Sequence, residues 1–437
     1  MGNKVSVFWF RRDLRLHDNV GLSSALNSEF PVLPIFIFDK EILENLPKKD
    51  ARVSFIYKTV QQLRNILNKK AKSSLAIYYG DPLTVFENLL QKYEIQSVYT
   101  NHDYEPYAKK RDTQISSFLK NYKIEFSSFK DQVIFEKGDI LKDDGDPYVV
   151  YTPYKNKWKS KFNPKNDLKS FDCTSQFNNF ISDTKLPNLS LSDLGFETSE
   201  IRIPDYNAGS EVIKNYEKTR NYPAKENGTS HLGPHLRFGT VSIREIVKKA
   251  ILEENETFWN ELIWREFFMQ ILWHFPHTTQ QSFRPKYDRI NWRNNESEFE
   301  KWKNGTTGYA LVDAGMRELN STGYMHNRVR MLVASFLCKH LLIDWRWGEA
   351  YFAEKLLDFD LSANVGNWQW AAGSGVDAAP YFRIFNPMTQ IEKFDKNKVY
   401  INKWVPDLQE LTYPEKMVDH KMARERCLKV YKEALAE

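Results

Sequence analysis

The feature that most constrains this chain is a change of periodicity near residue 130. Before it, short apolar or β-branched runs (Val5–Phe10, Val32–Phe38, Leu75–Tyr79, Ser97–Asn101 and Ile124–Phe129) alternate with stretches of helical spacing such as Arg52–Asn68, Pro82–Lys92 and Ala108–Asn121. Short apolar, β-branched runs make strands, and apolar residues every three or four make helices. Their alternation predicts an α/β domain over 1–130, a parallel, doubly wound sheet covered by helices on both faces. No G-x-G-x-x-G follows the first strand, so the dinucleotide fingerprint is missing there, although the carboxyl ends of the strands remain a place for a ligand.

Over 131–204 the periodicity lapses. Asp143 to Pro147, Asn163-Pro164 and Leu186-Pro187 carry turn chemistry, which predicts a long interdomain linker lying across the surface of both domains. Helical spacing returns in Ser242–Glu254, Thr257–Trp273, Tyr309–Asn320, Asn327–Leu342 and Trp347–Leu357. With no strand pair among them, 205–437 reads as a larger, all-α domain.

Composition removes several classes. The 437 residues are 41% hydrophobic and 27% charged, the balance of an ordinary globular protein with room for two or three domains. The longest apolar run, Val32–Phe38, is strand-sized and contains Pro34, too short to span a bilayer. Met1 to Phe10 runs straight into Arg11, Arg12 and Asp13 without a cleavage signal, so a cytoplasmic location is expected. Cys173, Cys338 and Cys427 are too dispersed for a local zinc or redox pair and too few for a four-cysteine cluster; buried thiols are expected. A net charge of +5 is modest, so placement matters more than total. Aromatic content of 14%, with 12 Trp, suits flavin pockets, base-stacking platforms and electron-transfer chains as well as cores.

Three helical segments carry pointed chemistry. Trp259 to Phe268 sets Glu261, Trp264, Arg265 and Phe268 on one side, three or four residues apart. Indole stacks on a base, and a carboxyl group in an apolar pocket hydrogen-bonds a carbonyl when its pKa rises. The plainer reading is an amphipathic helix with a solvated Glu–Arg bridge. Met325 to Met331 places Asn327, Arg330 and Met331 together and aims Arg328 elsewhere, towards a phosphate; a helix start with solvated cations has the same pattern. Asp358 to Trp370 combines carboxylates suited to ribose hydroxyls with an amide, Asn364, suited to a ring nitrogen that is sometimes protonated. Its two tryptophans, Trp368 and Trp370, point to different sides; a polar loop before buried indoles would look alike. Gly228 to Pro234 offers hydroxyls and backbone N–H groups ahead of a helix, as pyrophosphate sites do and as many loops do. His274 and His277 lack acidic or thiol partners, so no metal site is expected.

Taken together and in order, these segments resemble the photolyase/cryptochrome family. Phe8 to Asn19 is like its N-terminal signature. Glu261 to Phe268 and Asn327 to Met331 are like its substrate-facing helices, and Asn364 to Pro387 is like its most distinctive run. The likeness spans essentially the whole chain and is weakest in the linker. It implies a Rossmann-like, antenna-type first domain and a helical domain that binds FAD, active when reduced. Positions matching the flavin contacts are Tyr216, Thr229, Ser230, His231, Leu232, Gly233, Phe258, Arg265, Asn327, Arg330, Asp358, Phe359, Asp360 and Asn364, with Arg330 and Asp358 paired beside the flavin. Phe258 stands where relatives often carry Trp.

The same resemblance implies repair of cyclobutane pyrimidine dimers by a class I-like DNA photolyase. Glu261, Asn327, Trp264, Met331 and Trp370 would form the catalytic pocket. Arg220, Trp264, Arg328, Trp370, Arg383 and Lys393 would contact DNA, and Trp368, Trp345 and Trp292 would relay electrons. Asn364 favours repair, since plant-like cryptochromes tend to carry Asp there and animal ones Cys. Asn327 and Met331 replace the histidines of the (6-4) enzymes, where imidazole serves proton transfer. The alternatives are a cryptochrome-type blue-light photoreceptor, against which the absence of a tail after His420 to Leu435 also speaks, and a (6-4) photolyase. The expected partner is UV-damaged DNA, met by a monomer with no obligate protein partner. For a second, antenna chromophore, Tyr107-Ala108 and Gln281 to Pro285 depart from the folate-binding pattern, leaving a deazaflavin, a flavin or none.

Overall fold

The computed structural model describes residues 4–436. Five strands, β1 (Lys4–Phe10), β2 (Val32–Asp39), β3 (Ala76–Gly80), β4 (Glu94–Asn101) and β5 (Glu125–Phe129), form one parallel sheet in the order β3-β2-β1-β4-β5. Side chains alternate across the pleat, so each strand feeds two cores. Phe8, Phe10, Phe36 and Phe38 pack with Leu22 and Leu26 of helix Val20–Leu26 and with Val60, Leu63 and Leu67 of helix Ala51–Ala71. Val5, Val7, Trp9, Ile35 and Ile37 pack on the other face with Val85, Phe86 and Leu89 of helix Pro82–Lys92 and with Ile115 and Leu119 of helix Pro106–Asn121. This is the doubly wound arrangement that the strand–helix alternation predicts. Burial on both faces explains why the central strands read as continuous apolar runs.

Strand order reverses between β1 and β4, the place where open α/β sheets usually receive ligands. Here the chain's own side chains cross it. Arg11 bonds to Asp112 and to the Asn101 carbonyl, while Arg12 lies 3.1 Å from Asp103 and 3.0 Å from Glu105.

By packing, the described residues up to Glu136 form one unit with Lys161–Asp205 and Leu232–Lys249. A second unit comprises Lys137–Ser160, Tyr206–His231 and the chain from Ala250 onward. A buried ion cluster explains why Leu232–Lys249 groups with the sheet. Arg244 donates to Asp18 at 3.0 Å and to Asp131 at 2.9 Å, and Arg15 donates to Asp131 at 2.7 Å. All four side chains are buried, and two carboxylates balance two guanidiniums. Burial alone would raise the Asp131 pKa, but Arg15 and Arg244 outweigh it and hold the carboxyl below its ordinary range.

The second unit is built from helices. Helix Glu256–His274 meets helix Leu361–Ala372 at Gly366, where an added Cβ would lie 2.2 Å from the Phe268 ring. Helix Trp345–Lys355 meets the same helix at Gly348, where a Cβ would lie 2.1 Å from the Trp368 ring. Trp302, Phe336, Trp345 and Trp368 fill the core beneath. Two elements depart from the sequence reading. Helix Tyr151–Lys161 lies where an irregular connection is predicted, its core stripe reduced to Tyr151, Tyr154 and Trp158 among lysines. Pro153 is tolerated because it falls in the first turn. Asn327–Leu342, expected as one helix, is α-helical over Asn327–Ser335 and continues as a π-helical turn over Phe336–His340. The three cysteines are buried and unpaired. Among the described residues no helix is long and apolar enough to cross a membrane.

Removing one partner of a buried ion cluster strands the others' charge. Arg244→Met is expected to lower the unfolding free energy by about 3–5 kcal/mol in urea titrations, whereas Lys429→Ala, at an exposed pair 4.0 Å apart, leaves it within error.

Candidate flavin and nucleic-acid site

Helix Glu256–His274 starts at Asn255, whose side chain accepts the Phe258 N–H at 2.8 Å. From that start, Glu261, Trp264 and Phe268 follow at helical spacing. Glu261 bonds to Arg220, at the end of helix Ser210–Thr219, so the carboxylate is tied across helices. Arg265 sits half-buried on the same helix. The Trp264 indole lies parallel to the Tyr151 ring, with centroids 3.6 Å apart and planes at 9°, and Phe268 follows at 5.6 Å. Phe258 is buried and meets Tyr216 edge to face at 5.1 Å, so the two make an aromatic wall.

Helix Asn327–Ser335 is capped by His326, whose Nδ1 accepts the Arg328 N–H at 3.1 Å. Asn327 is exposed at the first helical position. One turn on, Arg330 forms a two-pronged pair with Asp358 (3.1 and 3.0 Å) and donates a third bond to the Met325 carbonyl at 2.7 Å. Arg328 bonds to Asn221, lies 4.4 Å over the Phe394 ring and reaches the Met331 sulfur at 3.8 Å. Burial lowers the Arg328 pKa, and the nearby cations Arg220 and Arg383 lower it further; the three guanidiniums therefore share one neighbourhood.

Asp360 caps helix Leu361–Ala372, accepting the Ala363 N–H at 3.3 Å and the Ser362 hydroxyl. Phe359 packs half-buried against the core. Asn364 is buried, and its amide nitrogen is spent on the Glu349 carbonyl (3.0 Å) and carboxylate (2.8 Å), leaving the oxygen as the available end. Burial raises the Glu349 pKa. Thr229 Oγ1 is 3.5 Å from the Tyr324 hydroxyl, the Ser230 carbonyl accepts the Asn207 N–H at 2.8 Å, and the His231 ring centroid lies 4.9 Å from that of Tyr324. Leu232 and Gly233, the next two residues, belong to the sheet-bearing unit.

Trp368 and Trp345 are fully buried, and Trp292 is half-buried with its ring 6.0 Å from that of Tyr431. Trp370 packs half-buried against the same core as Trp368. Arg383 and Lys393 are exposed, Lys393 beside the Phe394 that Arg328 covers.

The donor set can be tested against a flavin nucleotide by its orphans. Because His326 Nδ1 accepts a backbone N–H, its proton sits on Nε2, and that buried donor has no partner among the described residues; nor has His231 Nδ1. A buried donor without an acceptor is costly. FAD supplies phosphate, hydroxyl and carbonyl oxygens together with a flat ring for Phe258 and Tyr216, so the residues fit it. Sequence reasoning missed His326, Tyr324 and Tyr151. Histidine is not among the usual capping residues, and Tyr151 lies in the segment read as irregular.

Residues 258–433 match the family model described as the FAD binding domain of DNA photolyase, and residues 6–172 match that of DNA photolyase. The chain is 36% identical to a deoxyribodipyrimidine photo-lyase of Synechococcus sp., over 99% of this chain and 98% of that one. A bacterial class III photolyase from Agrobacterium tumefaciens superposes with a TM-score of 0.87 at 32% identity, covering 100% of this chain and 98% of the other. A cryptochrome from Synechocystis sp. superposes with a TM-score of 0.85 at 25% identity, covering 98% and 99%.

Burial, with Arg330 and Arg328 nearby, pulls the His326 pKa from 6.5 down to about 4. Between those values the unfolded chain takes up a proton that the folded chain refuses. This contribution to stability is therefore whole above pH 6.5 and is lost as pH falls towards 4. Unfolding free energies measured across that window should fall less steeply in His326→Gln than in the native sequence; equal slopes would contradict the assignment.

Proposed function

Since this chain belongs to the DNA photolyase family, we propose that it splits cyclobutane pyrimidine dimers in UV-damaged DNA under blue light, acting as a cytoplasmic monomer. The observation that carries the proposal is the pairing of Arg220 with Glu261 on the helix that bears Trp264, with Arg328 under the charge of Arg220 and Arg383. Cations engage phosphates, and the indole offers a face to a base.

Photolyases as a class work on nucleotides turned out of the duplex. A dimer stacks poorly in DNA, so extruding it costs less than extruding a normal pair. Trp264 and Trp370 wall the pocket that receives it, Glu261 and Asn327 hold polar atoms of pyrimidine and adenine, and Met331 packs against the dimer. Arg220, Arg328, Arg383 and Lys393 hold the phosphates, which makes binding fall with salt.

Within the helical unit, FAD would be held by Arg330 and Asp358, by Tyr216, Thr229, Ser230, His231, Phe258, Arg265, Asn327, Phe359 and Asp360, and by the free oxygen of Asn364. When bound and reduced, it supplies on illumination the electron that opens the cyclobutane ring and takes it back afterwards. No proton needs to move, so Asn327 and Met331 serve where (6-4) repair needs imidazole. Trp292, Trp345 and Trp368 run from a half-exposed indole to buried ones, a gradient suited to carrying electrons inward.

The test is illumination of photoreduced, FAD-loaded protein with a thymine-dimer oligonucleotide, against a dark control. Light-only restoration of thymines is expected, with at least a tenfold loss in a Glu261→Ala/Trp264→Ala double variant, roughly what a stacking and a hydrogen-bonding contact supply. Arg328→Ala should also lower the slope of log affinity against log salt by about one. Reduced FAD with no dimer split overturns the repair reading and leaves a cryptochrome-type photoreceptor.

A further inference from the structure

As a proposed pocket wall, Trp264 needs a fixed orientation, because an indole turns about two bonds unless something holds it. Tyr151 meets it on one face. The rings are parallel at 9° with centroids 3.6 Å apart. The Tyr151 hydroxyl donates to the Asn260 carbonyl at 2.8 Å, one turn before Trp264 on the same helix, and this fixes the phenol along the indole. The Tyr151 backbone N–H points at Asp377 Oδ2 at 3.4 Å, in the segment that follows helix Leu361–Ala372 and its Trp370.

Helix Tyr151–Lys161 is held rigidly enough to act as a backstop. Tyr154 packs on Phe267 at 5.2 Å, and the Trp158 indole N–H donates to the buried Glu266 carboxylate at 2.6 Å. Burial, followed by the nearby Glu261 carboxylate, raises the Tyr151 pKa, so the phenol stays a donor.

We propose that Tyr151 is a positioning residue for lesion recognition: stacked on Trp264, it sets the orientation in which that indole meets the flipped pyrimidine, and it ties that wall to the segment carrying Asp377 beyond Trp370. The proposal rests on the reading of Trp264 as a pocket wall. It accounts for why a tyrosine and a tryptophan from distant parts of the chain lie face to face beside an ion pair, and it assigns a recognition role to a segment outside the motifs. A stacked aromatic partner is worth enough to decide an orientation without taking part in the chemistry.

The experiment uses the full, FAD-loaded chain and measures affinity for a thymine-dimer duplex and for the same duplex undamaged. Tyr151→Met should lose about tenfold in affinity for the dimer while undamaged-duplex affinity and FAD absorbance stay unchanged, with a lower melting temperature from the lost stacking. Tyr151→Phe, which keeps the ring, should retain dimer affinity within about threefold. A protein that merely needed Tyr151 for its fold would lose stability and both affinities together. Should Tyr151→Met fail to fold, Asp377→Ala reads the tie, with an expected fall of about threefold in the dimer-to-undamaged ratio; an unchanged ratio overturns the proposal. Native dimer affinity in Tyr151→Met beside a loss in Trp264→Ala overturns the proposal alone. Tighter dimer binding in Tyr151→Met also overturns it, since the phenol would then occupy the face meant for the base. Native dimer affinity in Trp264→Ala overturns the wall reading on which the proposal stands.

Discussion

Two close helix approaches fix the geometry of the helical unit, and both depend on the absence of a single carbon atom. At Gly366 the helix carrying Asn364, Trp368 and Trp370 comes within ring contact of Phe268, one turn beyond Trp264. At Gly348 the helix carrying Trp345 and Glu349 comes down on Trp368. Interiors are packed to crystal density, so an added Cβ there must move a helix rather than fill a void. The spacing of Trp264 from Trp370, the hold of Glu349 on Asn364 and the burial of Trp345 against Trp368 all follow from these two crossings.

Charge is managed with the same economy of position. Arg330 is half-buried and held by two bonds to Asp358 and one to a backbone carbonyl. Glu261 is neutralised by Arg220, and Arg328 is steadied by Asn221 and an aromatic ring. Each cation is thus pre-oriented before any anion arrives, which spares a polyanion the cost of ordering flexible side chains. His231 Nδ1 and His326 Nε2 are among the buried nitrogens with no partner among the described residues, and their position beside Asp358 and Arg330 is where a nucleotide's oxygens would be welcome.

The sheet was legible because its signal is local. Strands buried on both faces read as apolar runs, and Val5–Phe10 or Val32–Phe38 differ from the observed strands only at their ends. The pairing of Arg330 with Asp358 was legible through family resemblance, although periodicity alone offered a same-helix partner for Glu261 and not Arg220, 41 residues away. What stayed hidden depends on long-range contact. Helix Tyr151–Lys161 forms because Trp158 finds Glu266 and Tyr151 finds Trp264, over a hundred residues on, while its own sequence is lysine-rich and carries a proline. The ion cluster that binds Arg244 to Asp18 and Asp131 is likewise invisible to any window of local sequence.

The most direct test is a crystal structure of the FAD-loaded protein bound to a duplex containing a thymine dimer. The account predicts FAD against Arg330, Asp358 and Asn364, with the dimer out of the helix between Trp264 and Trp370. A dimer still stacked within the duplex, or FAD bound away from these residues, would contradict it.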